Sequence, residues 1–186
     1  MKRVSLGLLL LVFAAACSST ASVDDSVVDP SGELIQPGAV HLGDAPVTDR
    51  TRHVVSVAQN LYTFWDTGEQ VYLDRAVDDS FVDNTLPTGR PQGPNGPVVA
   101  SAGFRTAIPD LSCELADLYI TGDTFTARLI FRGHFTGAYG PTAGSGQPVE
   151  FGAIDIQHVG EKRIVEDWHL EDNLTFMQQA GLVGTS

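Results

Sequence analysis

The fold is decided by the C-terminal stretch FGAIDIQHVGEKRIVEDWHLEDNL, which covers residues 151–174. Apolar and polar residues alternate on both sides of residues 160–162, which have the composition of a tight turn. Because a period of two is typical of β-strands, the stretch predicts two strands, over about 149–159 and 163–171. The short turn between them predicts that they pair as an antiparallel hairpin.

Asp155 and His169 are the ionisable residues of this hairpin that stand where an apolar side chain would be expected. With the turn at residues 160–162, the two side chains fall opposite or diagonal to each other, within reach. A carboxylate beside an imidazole is a simple proton-transfer unit, so we predict that the pair is catalytic. Two other interpretations stay open: the pair contacts a ligand without chemistry, or it is a structural hydrogen bond under the helices.

The remaining elements follow from the same kind of periodicity. Apolar residues recur at helical spacing from Val54 to a stop at Gly68. The other predicted elements are helices over about 69–77, 98–107 and 173–182, an extended segment at 81–84, and strands over about 111–121 and 124–135. This order indicates an α+β domain with a curved antiparallel sheet and helices packed on one face. A cone-shaped pocket between sheet and helices is then the natural ligand site.

The N-terminal region has the features of an export signal. Two basic residues precede an uncharged, largely apolar run that ends in three alanines directly before Cys17. This pattern resembles a bacterial lipobox, so we predict that residues 1–17 are a lipoprotein signal peptide and that lipidated Cys17 anchors the chain in a membrane of the cell envelope, outside the cytoplasm. The alternative is a secreted protein cut near Ala16. Residues 18–47 are predicted to be a flexible tether, and residues 48–186 the folded domain.

Composition limits the classes of partner and cofactor. The chain has 186 residues, 42% of them hydrophobic, which suits one domain with a real core. Its formal net charge of −12 argues against nucleic acid as a partner, because phosphate binding needs a basic surface. Cys113 is predicted to be a buried, inert thiol without a disulfide partner. No residue spacing matches a zinc site or a phosphate-binding loop, so no metal and no cofactor is predicted.

Three segments carry a resemblance to a known family: GHFTG at residues 133–137, the stretch 151–174 and QQAG at residues 178–181. They resemble the SnoaL-like polyketide cyclases, or ester cyclases, of the nuclear transport factor 2-like fold. The resemblance implies acid/base chemistry without a cofactor, of cyclase, isomerase or hydrolase type, on a small apolar or carbonyl-containing molecule. In the cyclases, a strand Asp at the position resembling His169 is the general acid/base, and a strand His at the position resembling Asp155 assists. This chain carries the two residue types exchanged.

The resemblance also implies ligand contacts near the helices. Phe81, Asn84 and Phe104 are the ligand-binding candidates, and Asn84 is expected to bind a ligand carbonyl, with turn capping as the alternative. Residues 85–97 hold four prolines and are predicted to be either a lid over the pocket or a surface loop.

The resemblance leaves two further points open. The outer face of the strands, which includes Trp168, is often a dimer surface in this fold, so a homodimer is expected unless Trp168 packs into the core. The fold also hosts proteins without catalytic activity. The alternative function is therefore a ligand-binding or assembly module at the cell envelope.

Overall fold

Four long antiparallel strands form the centre of the sheet in the computed structural model, which describes residues 27–184. In chain order the strands are β1 (Val40–His41), β2 (Val77–Asp83), β3 (Ser112–Thr121), β4 (Thr124–Phe135), β5 (Ala138–Tyr139), β6 (Thr142–Ala143), β7 (Gln147–Val159) and β8 (Ile164–Glu171). The main sheet has six strands in the order β1-β3-β4-β7-β8-β2, and β5 and β6 form a separate small hairpin. The predicted α+β class with a curved sheet is confirmed.

The β7–β8 hairpin has the register that the sequence predicts. Asp155 lies directly opposite His169, and Gln157 lies opposite Asp167. Burial alternates along β7, so that Asp155 and Gln157 are buried while their neighbours Ile154 and Ile156 are exposed. The hairpin therefore presents one apolar-and-acidic face to the inside of the domain and another face to solvent.

Both edges of the sheet differ from the predicted antiparallel arrangement. At one edge β1 runs parallel to β3, and at the other edge β2 runs parallel to β8. Parallel neighbours need a long connection, and one helix and five strands separate β2 from β8 along the chain. Pairing over such a distance leaves no local pattern in the sequence, which is why the edges were not predicted.

Helices cover one face of the sheet: α1 (Asp49–Thr67), α2 (Gln70–Ala76), α3 (Asn95–Ala107) and α4 (Asn173–Gln179). Helix α1 begins at a capping box, in which the hydroxyl of Thr48 accepts a hydrogen bond from the amide of Thr51. It ends at Gly68, whose φ of 78° is the left-handed conformation that glycine adopts easily. The predicted helices are confirmed, although α3 begins earlier than predicted and α4 ends earlier.

The hydrophobic core lies between α1 and the sheet. Tyr62 and Phe64 of α1 and Phe125, Leu129 and Phe135 of β4 are almost completely removed from solvent. Burial of aromatic and aliphatic side chains of this size stabilises the folded state by about 1.5–3 kcal/mol each. Cys113, on β3, is also buried, and this burial raises the pKa of its thiol well above the usual value. The prediction of a buried thiol is confirmed.

Residues 27–47 are packed against the domain, which corrects the predicted tether over 18–47. The side chains of Val27, Leu34 and Ala39 are buried. The backbone amide of Ile35 donates to the hydroxyl of Thr63 at 2.9 Å, and the chain then enters β1. The prediction failed because the segment packs along α1 and β3 without a periodic pattern of its own. The predicted signal peptide, with Cys17, lies outside the described residues.

None of the helices within residues 27–184 combines the length and the apolar character that a membrane-crossing helix needs.

Candidate active site

A cavity lies between the sheet and helices α1 and α3. Its wall is mostly apolar and includes five aromatic rings; the apolar lining residues are Leu61, Trp65, Val77, Phe81, Pro97, Phe104, Leu129, Phe131, Phe151 and Ala153. Its polar lining residues are Asp83, Arg90, Asp155, Gln157, Asp167, His169 and Glu171. An apolar cavity with a few converging polar groups is the usual form of a small-molecule site.

Three neighbouring strands place the polar lining residues together. Asp155 and Gln157 come from the buried face of β7, and Asp167, His169 and Glu171 alternate along β8. Asp83 ends β2, where it lies opposite Asp167 across the parallel pair. Since residues two apart on a strand share a face, the register alone brings four carboxyl groups and one imidazole to the same end of the cavity.

Asp155 is a buried carboxyl group with an altered ionisation. Its side chain is 6% exposed, and its Oδ2 accepts a hydrogen bond from the hydroxyl of Tyr62 at 3.1 Å. Burial raises the pKa of Asp155 to about 8, and the charge of Asp167 adds to the increase while that of His169 opposes it. Asp155 is therefore mostly protonated, and neutral, at neutral pH.

His169 is held by two carboxylates. Its Nδ1 lies 2.8 Å from Oε1 of Glu171, and its Nε2 lies 3.2 Å from Oδ2 of Asp83. Burial by itself would lower the pKa of His169, but the hydrogen bond to Glu171 and the surrounding negative charges raise it to about 9. The partners of the ring are thus Glu171 and Asp83, whereas Asp155 bonds to Tyr62. Asp155 faces the same cavity as His169 but does not orient its imidazole, which corrects the predicted arrangement of the pair.

Asp167 and Gln157 leave buried oxygen atoms without a partner. Within residues 27–184, Oδ1 of Asp167 and Oε1 of Gln157 have no hydrogen-bond partner. Burial raises the pKa of Asp167 to about 7; the charge of His169 and hydrogen bonding from Gln157 oppose this shift, and the charge of Asp83 adds to it. Unpaired buried polar atoms are costly and are uncommon in folded proteins, so this end of the cavity is suited to a further ligand.

The segment after β2 closes the polar end of the cavity. The side-chain amide of Gln92 forms two hydrogen bonds with the backbone of Asp83. Its Oε1 accepts from the backbone amide of Asp83 at 2.7 Å, and its Nε2 donates to the carbonyl of Asp83 at 2.9 Å. Thr85 donates to the carboxylate of Asp83 through both its amide and its hydroxyl. The following loop brings Arg90 to the cavity wall.

The predicted ligand-binding residues are found in different places. Phe81 and Phe104 line the cavity, and Phe104 stacks on Phe151 with 5.8 Å between ring centroids. Asn84 is exposed and is not among the lining residues, which corrects its prediction. The alternation along β2 turns Asp83 inward, and Asn84 lies one residue beyond the strand.

Six polar residues of this region were not predicted as site residues: Tyr62, Asp83, Arg90, Gln157, Asp167 and Glu171. For Asp167 and Glu171 a signal was present, since both share the strand parity of His169. Nothing local in the sequence distinguishes Asp83 or Tyr62, because their proximity to β7 and β8 depends on long-range packing. Trp168 faces away from the cavity and is 39% exposed, so packing of this ring in the core is excluded.

Comparison with known proteins places these observations in a wider group. A family model described as SnoaL-like polyketide cyclase matches residues 55–180. A solved structure from Bacillus cereus ATCC 10987, described as a candidate polyketide cyclase, is 40% identical and covers 84% of this chain and 99% of its own, with a TM-score of 0.74. No curated protein matches the chain.

More distant solved structures show the fold alone. IdmH of Streptomyces antibioticus, described as a candidate polyketide cyclase, is 24% identical, with a TM-score of 0.63 and coverage of 69% of this chain and 98% of its own. A protein of Catenulispora acidiphila DSM 44928 with a ketosteroid isomerase-like fold is 19% identical, with a TM-score of 0.53 and coverage of 70% and 97%.

Proposed function

This chain belongs to the SnoaL-like polyketide cyclase family, and we propose that its cavity binds a small, mostly apolar molecule with a carbonyl group and moves a proton on it. The apolar wall accommodates the carbon skeleton of such a molecule. The polar end of the cavity faces its carbonyl group. The reaction is of the cyclase or isomerase type and uses side chains of the protein as acid and base.

The observation that carries the proposal is the neutral, buried carboxyl of Asp155. Because Oδ2 accepts the hydrogen bond from Tyr62, the proton of the carboxyl belongs on Oδ1. A neutral carboxyl in an apolar site can donate a strong hydrogen bond to a carbonyl oxygen, and it stabilises the negative charge that this oxygen gains when a proton leaves the neighbouring carbon. Asp155 is thus the proposed catalytic acid.

His169 is the second proposed catalytic residue. It faces the cavity from the strand next to Asp155, and both of its ring nitrogens contact carboxylates. That contact pattern keeps positive charge on the side of the cavity where negative charge develops on the substrate. The carboxylates around His169 offer an acceptor for the proton that leaves carbon. Asp155 and His169 therefore remain the proposed catalytic pair, but Glu171, rather than Asp155, orients the imidazole of His169.

The activity can be tested by exchange of carbon-bound protons. We expect the protein to accelerate deuterium exchange next to the carbonyl in at least one member of a panel of cyclic 1,3-dicarbonyl compounds, followed by NMR in D2O. The substitution Asp155→Asn should slow the exchange by about 10²-fold or more, since general acid catalysis contributes factors of that size. Glu150→Gln is the matched control, because Glu150 is an exposed carboxylate on the same strand. Equal rates in the Asp155→Asn variant and the unmodified protein would contradict the proposal.

The alternative proposal is a binding protein without turnover, and the five aromatic rings of the cavity wall favour it. Such a protein should show increased thermal stability with apolar carbonyl compounds, while no compound of the panel exchanges protons faster than in buffer. The two functions are therefore separated by the same set of compounds.

The cellular position and the assembly state are also proposals. The lipobox-like sequence before Cys17 supports an anchor in the cell envelope, with a secreted form as the alternative. The outer face of the sheet supports a homodimer, because Ile154, Ile156, Trp168 and Leu170 are exposed there.

A further inference from the structure

Three residues at the polar end of the cavity converge in a way that acid/base chemistry does not require. One side-chain atom each of Asp83, Asp167 and His169 lies within 4.8 Å of the other two. The residues come from two strands whose register places Asp83 opposite Asp167. Two carboxylate oxygens and an imidazole nitrogen at such separations form a donor set of the kind that binds a metal ion.

The position of Glu171 supports this reading of His169. A histidine that binds a metal through one nitrogen almost always donates the proton of the other to a carboxylate, a carbonyl or water. Glu171 accepts from Nδ1 of His169 at 2.8 Å, which directs Nε2 toward Asp83. Nε2 lies 3.2 Å from the Asp83 carboxylate, and a metal ion bound there would displace the proton that these two atoms share.

A second, independent observation is the unpaired oxygen of Asp167. Asp167 is 9% exposed, so its side chain is more than nine-tenths buried, and it lines the cavity. Its Oδ1 finds no hydrogen-bond partner anywhere in the described residues 27–184. A buried carboxylate oxygen without a donor is strongly unfavourable, and a bound cation would compensate it. The unpaired Oε1 of Gln157, opposite Asp167 on β7, adds another oxygen on the same side.

We propose that Asp83, Asp167 and His169 bind a divalent transition-metal ion, and that Glu171 positions His169 for it. The mixed oxygen and nitrogen donor set favours Zn²⁺ over Mg²⁺ or Ca²⁺, which prefer oxygen ligands alone. The ion would put positive charge beside the carbonyl-binding end of the cavity. The site goes beyond the proposed function because it adds a metal ion. It shares His169 with the proposed catalytic pair, whereas Asp155 and Tyr62 are not among its ligands.

The test is direct binding of the metal. The full chain, expressed without a polyhistidine tag and freed of metal with a chelator, is titrated with ZnCl2 by calorimetry. We expect one Zn²⁺ for each chain and a higher melting temperature in its presence. Asp167→Asn and His169→Gln should each weaken binding by at least 100-fold, and Glu171→Gln by about 10–100-fold, as loss of an orienting partner does.

The control is a histidine–aspartate pair outside the cavity. His134 lies 2.7 Å from Asp110 on the surface, so His134→Gln removes a similar pair and should leave Zn²⁺ binding unchanged. Unchanged binding in the His169→Gln variant, or loss of binding in the His134→Gln variant, would overturn the proposal. Absence of Zn²⁺ binding to the unmodified chain would do the same.

A spectroscopic measurement avoids any dependence on how the variants fold. Mn²⁺ bound to the unmodified chain should show electron spin-echo modulation from one imidazole nitrogen. Bound Mn²⁺ without nitrogen coupling would contradict a site that includes His169. Neither result depends on turnover. The experiments can therefore reject the metal site without rejecting the proposed proton transfer, and they can reject the proton transfer without rejecting the metal site.

Discussion

Asp155 shows how far the environment of a residue changes its ordinary chemistry. An aspartate carboxyl in water has a pKa near 3.8, whereas burial raises the pKa of Asp155 to about 8. The groups that face it are Tyr62 from α1 and Asp167, His169 and Glu171 from β8, and Tyr62 and His169 oppose the increase. The protein therefore keeps a neutral acid at pH 7 in a position where the sequence alone suggests a charged one.

This ionisation predicts a dependence of stability on pH. Between pH 4 and pH 8 the folded state holds the proton of Asp155 that the unfolded state has lost, so the free energy of unfolding falls as the pH rises. The slope for this one group is at most about 1.4 kcal/mol per pH unit. Asn cannot ionise, so the stability of the Asp155→Asn variant relative to the unmodified protein should increase from pH 5 to pH 8.

Urea unfolding at several pH values measures the difference. The Glu150→Gln variant should follow the unmodified protein, because Glu150 is exposed on the same strand. Parallel curves for the Asp155→Asn variant and the unmodified protein would show that Asp155 is ionised in the folded state.

At the scale of elements, the sequence predicts local strand pairing but not the pairing of strands that are far apart in the chain. The β7–β8 hairpin is local, and its alternation and short turn were enough to predict that Asp155 lies opposite His169. Asp83 could not be assigned to the site, because its position depends on the parallel pair of β2 with β8. The choice of Asn84 in its place is an error of a single residue in strand parity, made where no hairpin partner fixes the register.

The N-terminal segment gives a prediction for an element outside the predicted domain. Deletion of residues 1–44 removes the buried side chains of Val27, Leu34 and Ala39 and takes the backbone partners from Gln59 and Thr63. We expect a loss of about 3–6 kcal/mol in the free energy of unfolding, from the apolar area alone. Thermal unfolding of chains that begin at residue 45 and at residue 26 measures the effect. Similar melting temperatures for these two chains would restore the original prediction of a dispensable tether.

The whole molecule combines an acidic, folded domain with an N-terminal sequence of a different character. Because the net charge is −12, we expect no nucleic-acid partner. None of the helices within residues 27–184 could span a membrane. In our proposal the chain is attached to a membrane through Cys17, which lies before the described residues.

The attachment can be tested by a single substitution. Cys17→Ser removes the thiol that would carry the lipid, so the protein should move from the membrane fraction to the soluble fraction after cell disruption. Cys113→Ser is the matched control, because Cys113 is buried in the domain and cannot carry a lipid. Membrane association that survives Cys17→Ser would count against the anchor. A mature chain that begins at a residue other than Cys17 would favour the secreted form.

The two hydrogen bonds between Gln92 and the backbone of Asp83 have a consequence for aggregation. Asp83 lies on the outermost strand of the sheet, where free backbone groups could template a strand from another molecule. The amide of Gln92 occupies both of these groups, as a neighbouring strand would. The opposite border, β1, is only two residues long. At Asp83 and at β1 the sheet therefore offers few free backbone groups for fibre-like growth, which favours the broad outer surface of the sheet for ordered self-association.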